Sequence, residues 1–291
     1  AKEKDRNGDT PLHIFLCEKR SVSKDALNVL MAACPEAAKE KDRYANTPLH
    51  IFLYENRSVS KDALNVLLAA WPEAAKEKDR NGDTPLHIFL CEKRSVSKDA
   101  LNVLMAACPE AAKEKDDTPL HLLCLSCENR KKDALNVLLA AWPEAAKERD
   151  SNNRTPLHFL CENGSVSLAG FQSVLYEWLK AQENRSWQSL MSLSDRPRIQ
   201  KSKKELLVNV AHLFGQDNQN RIPPHDIMAH FISTKWWYGA WLVIQRHPSI
   251  VKSMNLQTTT KAAFLFTAGK RLSLVNMAEL IKNEPELLEG V

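Results

Sequence analysis

Residues 1–42, AKEKDRNGDTPLHIFLCEKRSVSKDALNVLMAACPEAAKEKD, recur unchanged at 75–116. The 74-residue offset splits into two units of 37 residues. A chain that repeats itself at such a period is built from stacked units that bury a core only against their neighbours. That organisation points to a long binding surface and away from a single catalytic pocket.

Each unit reads directly from local physics. Asp5-Arg6-Asn7-Gly8-Asp9 is turn chemistry, with Asn-Gly suited to positive φ. Thr10 stands where a helix N-cap belongs, and Pro11 fits the first helical position. The first helix is predicted to run to about Lys19, and Ser21-Val22-Ser23 makes a loop. Ser23 is a good N-cap for a second helix, with Asp25 in its first turn. There Leu27, Leu30, Met31 and Cys34 recur at i, i+3, i+4, i+7 and form one apolar face. Pro35 ends that helix, and Pro35-Glu36-Ala37-Ala38 starts one further short helical turn.

Thr-Pro-Leu-His occurs five times, at 10–13, 47–50, 84–87, 118–121 and 155–158, with spacings of 37, 37, 34 and 37. On these residues the array resembles the ankyrin repeat, whose pattern is a turn, T-P-L-H opening a helix, and a second antiparallel helix. The resemblance implies an all-α solenoid of antiparallel helix pairs with short β-hairpin fingers. Its units lie near 5–41, 42–78, 79–115, 116–149 and 150–183, together residues 1–183. The units are longer than the usual 33 or so residues. Bulky pairs (Phe15-Leu16, Phe52-Leu53, Phe89-Leu90) stand where the family has small residues, and the glycine that commonly closes the first helix is missing before Gly164. These departures imply helices set further apart or tilted differently. The fourth unit lacks three turn residues before Thr118, which implies one clipped finger.

Beyond residue 180 or so the pattern decays. Residues 184–216 read as an inserted helical segment, with Arg196, Arg198, Lys201, Lys203 and Lys204 leading into the apolar series Leu206, Leu207, Val210 and Leu213. Residues 217–291 read as degenerate ankyrin-like repeats. Asn220-Arg221-Ile222-Pro223-Pro224-His225 is similar to the turn plus T-P-L-H, and Glu284-Pro285-Glu286-Leu287-Leu288 to Pro-Glu-Ala-Ala.

Composition is that of an ordinary globular chain: 291 residues, 44% hydrophobic, 26% charged, net charge +4. Residues 1–150 carry 24 basic and 25 acidic residues; the remainder carry 16 and 11, so any electrostatic preference for an acidic partner belongs to the C-terminal half. No apolar run is long enough to span a bilayer, and no signal peptide is visible. The opening AKEKD matches the unit tail at 112–116, the expectation for a piece of a longer product. Cys34 and Cys108 share a slot two repeats apart, roughly 20 Å, too far for a disulfide; Cys17 and Cys91 fail likewise. Reduced thiols fit a cytoplasmic or nuclear setting.

Several residue groups admit two readings. The histidines His13, His50, His87, His121 and His158 either ligate or, as the resemblance implies, cap and staple their own repeats. His121-x-x-Cys124-x-x-Cys127 has soft ligands along one helical edge, with Cys161 the one plausible fourth ligand; a structural zinc site wants four. The apolar row after each histidine (Ile14, Ile51, Ile88, Leu122, Phe159) either lines a ligand groove or turns into the core. Trp237, Trp241 and Ile244 share a helical face and are read as core, whereas Trp236 and Tyr238 point elsewhere and can anchor a partner or pack on the inserted segment. The basic stretch 196–204 either touches phosphates or is a solvated linker.

No glycine-rich phosphate loop, HExxH or GxSxG is present. The expected function is therefore non-catalytic: a protein-protein interaction scaffold, with no cofactor, metal, small-molecule substrate or membrane insertion. The expected contacts are Arg6, Asn7 and Asp9; Arg43, Tyr44 and Asn46; Arg80, Asn81 and Asp83; Asn152, Asn153 and Arg154; and Trp236 and Tyr238. The alternatives are a structural spacer docking through its C-terminal half and nucleic-acid binding by that basic half, the latter the weaker expectation.

Overall fold

The computed structural model of the chain describes residues 3–18, 22–56, 59–91, 96–113, 118–125, 132–164, 166–215, 222–248, 250–254, 256–271 and 274–288. The described residues are helices joined by turns and loops, with no strand among them. None of the described helices is long and apolar enough to cross a membrane. The chain forms two compact units, residues 1–178 and 179–291.

In the first unit five helix pairs follow one another. The first helices are α1 (Pro11–Glu18), α3 (Pro48–Glu55), α5 (Pro85–Cys91), α7 (Pro119–Leu125) and α9 (Pro156–Glu162). The second helices are α2 (Lys24–Ala33), α4 (Lys61–Ala70), α6 (Lys98–Ala107), α8 (Lys132–Ala141) and α10 (Leu168–Trp178). Each first helix packs on the next first helix and each second helix on the next second helix, giving two layers with the core between them. Ser23, Ser60 and Ser97 cap the second helices by accepting the N–H of Ala26, Ala63 and Ala100. The prolines that end those helices open tight 3-10 turns at Pro35–Lys39, Pro72–Lys76, Pro109–Lys113 and Pro143–Ala146. Each turn tucks its two alanines into the core.

The β-hairpin fingers expected from the resemblance are not formed as strands. Each described finger is a self-contained five-residue turn. The Asp5 carboxylate accepts the N–H of Asn7 at 2.7 Å and of Asp9 at 2.9 Å, while its own N–H donates to the Asp9 carbonyl at 3.0 Å. Asp42, Asp79 and Asp150 do the same in their turns. Adjacent turns share one backbone bond, Arg43 N–H to Asn7 O and Arg80 N–H to Tyr44 O, each 3.0 Å. One bond per turn is too few for a ladder. The clipped fourth finger, at 114–117, lies outside the described residues.

The fourth position of each described turn is left-handed: Gly8 at φ 82°, Ala45 at 64°, Gly82 at 86° and Asn153 at 61°. The alanine pays a Cβ penalty that glycine avoids, partly offset by the greater chain entropy glycine loses. Ala45→Gly is expected to stabilise the first unit by about 0.5–1 kcal/mol. A lower urea midpoint for the variant would show that the turn is not strained.

The second unit is built from α11 (Trp187–Ser194), α12 (Lys201–Phe214), α13 (Pro224–Ser233), α14 (Trp237–Arg246), α15 (Ile250–Met254), α16 (Thr258–Arg271) and α17 (Leu274–Asn283). The segment read as inserted and helical is the packed pair α11 and α12. Pro285–Leu288 forms a 3-10 turn, as the repeated Pro-Glu-Ala-Ala segments do. The slot of Thr in T-P-L-H is taken by Ile222, which offers no hydroxyl. His225 is accordingly exposed and leans on Asp226 at 3.5 Å, unlike the repeat histidines. The segment's opening turn, at 217–221, lies outside the described residues.

Candidate protein-binding surface

The repeat histidines set the geometry on which the surface rests. His13 Nδ1 accepts the main-chain N–H of Thr10 at 3.2 Å and lies 2.8 Å from the Thr10 hydroxyl. A backbone amide can only donate, so Nδ1 is the acceptor and the ring proton sits on Nε2. From there it donates to the Asn46 carbonyl in the next turn, at 3.3 Å. His50 reaches Asp83 O at 3.2 Å and His121 reaches Arg154 O at 3.0 Å in the same way. Each of these histidines thus caps its own helix and clasps the following turn.

Burial holds the His13 and His50 imidazoles below the ordinary 6.5, and the carbonyls of Asn46 and Asp83 only partly oppose it. As pH falls through about 6.5 the unfolded chain takes up protons that the folded chain does not. Stability from these two groups is therefore complete above that value and declines below it, until the folded rings protonate too. The urea midpoint is expected to be lower at pH 5.5 than at pH 7.5; equal midpoints would count against the clasp.

The turns present a row of tips. Arg6, Asn7, Arg43, Tyr44, Arg80, Asn81, Asn152 and Asn153 are exposed. Tyr44 is 48% exposed, and its ring lies under two guanidinium groups from adjacent turns, Arg43 at 4.6 Å and Arg80 at 5.8 Å. The fifth turn residues face back and are only partly exposed. Asn46 donates to the Asp42 carboxylate at 2.9 Å. Asp9 has its carboxyl held above the usual range, by burial first and then by the charge of Asp5. Arg154 pairs with Asp150 at 2.9 Å and covers the Phe159 ring at 4.3 Å. Burial works to raise the Asp150 carboxyl, but the Arg154 backbone and side-chain hydrogen bonds and its charge hold it low. The sequence groups Asn46, Asp83 and Arg154 with the contacts; in the structure all three tie the repeats together through their main-chain carbonyls.

The apolar row after each histidine divides. Ile14 is exposed, Ile51, Ile88 and Leu122 are half-buried, and Phe159 is buried beneath Arg154 and edge-on to His121. A second row, three residues further on, was missed by the sequence reading. Tyr54 is 52% and Leu125 60% exposed, with Cys17 and Cys91 exposed in the same slot. The i, i+3 spacing from Ile14, Ile51, Ile88 and Leu122 was the signal that could have found it.

Trp236 and Tyr238 require correction. Both are buried, Trp236 edge-on to Phe231 at 4.9 Å. Trp236 precedes α14 with φ −92° and ψ 76°, so it does not follow the helical face count that pointed it outward. Trp237 and Trp241, read as core, are only half-buried. Lys203, in the basic stretch read as touching phosphates or as a solvated linker, is fully buried. Of the metal-like set, Cys127 lies outside the described residues, His121 is committed to Thr118 and Arg154, and no group of potential ligands gathers among the described residues.

No protein-family model matches the chain, and no curated protein matches it.

Proposed function

We propose that this is an ankyrin-type repeat protein acting as a non-catalytic protein-protein interaction scaffold. It binds a protein partner through its turn tips and the exposed side of its first helices. The observation that carries the reading is the Arg43–Tyr44–Arg80 cluster. An aromatic ring and two cations from different repeats meet on an exposed tip. Tyr and Arg are the side chains that anchor protein interfaces, and the Tyr44 side chain makes no hydrogen bond among the described residues. Tyr54 and Leu125 add exposed apolar area on the first helices.

Docking through the second unit is the alternative, supported by the exposure of Trp187 and Phe266. Crosslinking in a native extract separates the two. Crosslinks to one protein at Lys4, Lys41 and Lys78 are expected. The double variant Tyr44→Ala, Arg80→Ala should cut recovery of that protein roughly tenfold or more while leaving the unfolding midpoint unchanged. Crosslinks confined to Lys235 and Lys270, indifferent to that variant, would assign binding to the second unit instead.

A further inference from the structure

Basic and acidic residues nearly balance over residues 1–150, but the balance is not local. At the turns the acids are spent inside the fold. The Asp42 carboxylate accepts the main-chain N–H of Tyr44 and of Asn46 and the Asn46 side-chain amide. The Asp79 carboxylate accepts the N–H of Asn81 and of Asp83. Glu40 and Glu77 reach across to Lys4 and Lys41 and neutralise them. Arg43 and Arg80 are left over. Both are exposed, neither forms an ion pair among the described residues, and both rest on the Tyr44 ring. Arg154 shows the contrast, because there a carboxylate is at hand and the guanidinium pairs with Asp150.

The spacing of these cations is set by the array. Sharing one ring, the two guanidinium carbons are at most about 10 Å apart. Successive turns follow their helices, which pack about 8–10 Å apart. A polyproline II segment advances about 9.3 Å in its three-residue turn, so side chains at every third position keep step with the turns. A β-extended segment returns to the same face after two residues, about 6.8 Å, and falls out of step. A helix about 10–12 Å across wants a groove, and the turns offer a row of tips.

We propose that these tips bind an acidic, extended protein segment with Asp or Glu at every third position. Its carboxylates meet Arg43 and Arg80 in turn, its backbone lies against Tyr44, and Arg6 continues the row by one step. Arginine is suited to this task because its planar fork takes a carboxylate through two parallel hydrogen bonds. The proposal rests on the reading of the tips as the binding surface and names what they bind. A nucleic-acid strand fits less well. It is held by a continuous cationic groove and a succession of aromatic rings, whereas these tips offer one ring and keep carboxylates between their arginines.

Fluorescence anisotropy on the whole chain tests it with two labelled proline-rich peptides of one composition. In one, Glu stands at every third position; in the other, the same glutamates stand side by side. The spaced peptide should bind at least about fivefold more tightly. Arg43→Gln and Arg80→Gln should each weaken it about fivefold and leave the urea midpoint where it was, since both side chains lie in solvent. Equal binding of the two peptides would overturn the proposal, as would tighter binding of an oligothymidylate. If neither peptide bound while the crosslinked protein was still captured through Tyr44 and Arg80, the acidic segment would be overturned and the scaffold reading would stand. Loss of that capture as well would overturn both.

Discussion

Phe52→Ala is expected to destabilise the first unit by about 4 kcal/mol, and the same change at Phe15 by about half as much. The two side chains occupy the same slot of α3 and α1. Phe52 is 1% exposed, walled by its own repeat and by the one before; Phe15 is half-buried, with no helix of an earlier repeat against it among the described residues. Truncation at Phe52 removes the transfer free energy of the ring and leaves a cavity that two packed repeats cannot collapse. At Phe15 water already reaches one side, so less area is lost and the void is solvated. Because a stacked array is stabilised by contacts between neighbours, the damage at Phe52 also uncouples repeat one from repeat three. Urea unfolding of both variants measures the difference. Equal costs would mean that the preceding repeat contributes nothing to the burial of this position.

The second large effect lies in the other unit. Gly239→Ala reverses the usual sign of a helical glycine-to-alanine change, which ordinarily stabilises by about 1 kcal/mol. A Cβ on Gly239 would stand 2.2 Å from Trp236 Cε3, 2.7 Å from Cζ3 and 2.8 Å from Phe231 Cδ2. Neither ring has room to yield. Trp236 is buried edge-on against Phe231, itself fully buried between α13 and α14. The helices must separate or the indole must leave its rotamer, and a loss of about 3 kcal/mol is expected. Tryptophan fluorescence should show the second unit unfolding at lower urea while the first keeps its midpoint. A variant as stable as the parent would show that the indole can swing aside.

The repeated elements were legible because their signals are local. Ser23 caps where a serine just ahead of the apolar series of α2 should, and Pro35 stops α2 where it must. The turn tips were legible too, since Arg6, Tyr44 and Asn81 sit in polar five-residue loops with no core to enter. What depends on neighbours was not. Whether Ile51 or Tyr54 is left exposed is settled by how far α3 is rotated against α1 and α5, and no spacing within one helix encodes that. Trp236 was misplaced because its face was counted as helical one residue before the helix begins. Lys203 was misread because charge in a basic run marks solvent only on average; on α12 it lies one turn from buried Leu206 and Leu207.

The histidine clasps have one more consequence. His13, His50 and His121 each hold the next turn by its main-chain carbonyl. The clasp therefore tolerates Asn46, Asp83 or Arg154 in the gripped position, and the bond from Arg43 or Arg80 likewise ends on a carbonyl, of Asn7 or Tyr44. Assembly is written in the backbone, so the side chains of the tips can change separately. Arg-Asn can become Arg-Tyr at a tip without loosening the joint behind it, which lets the proposed binding surface vary one turn at a time.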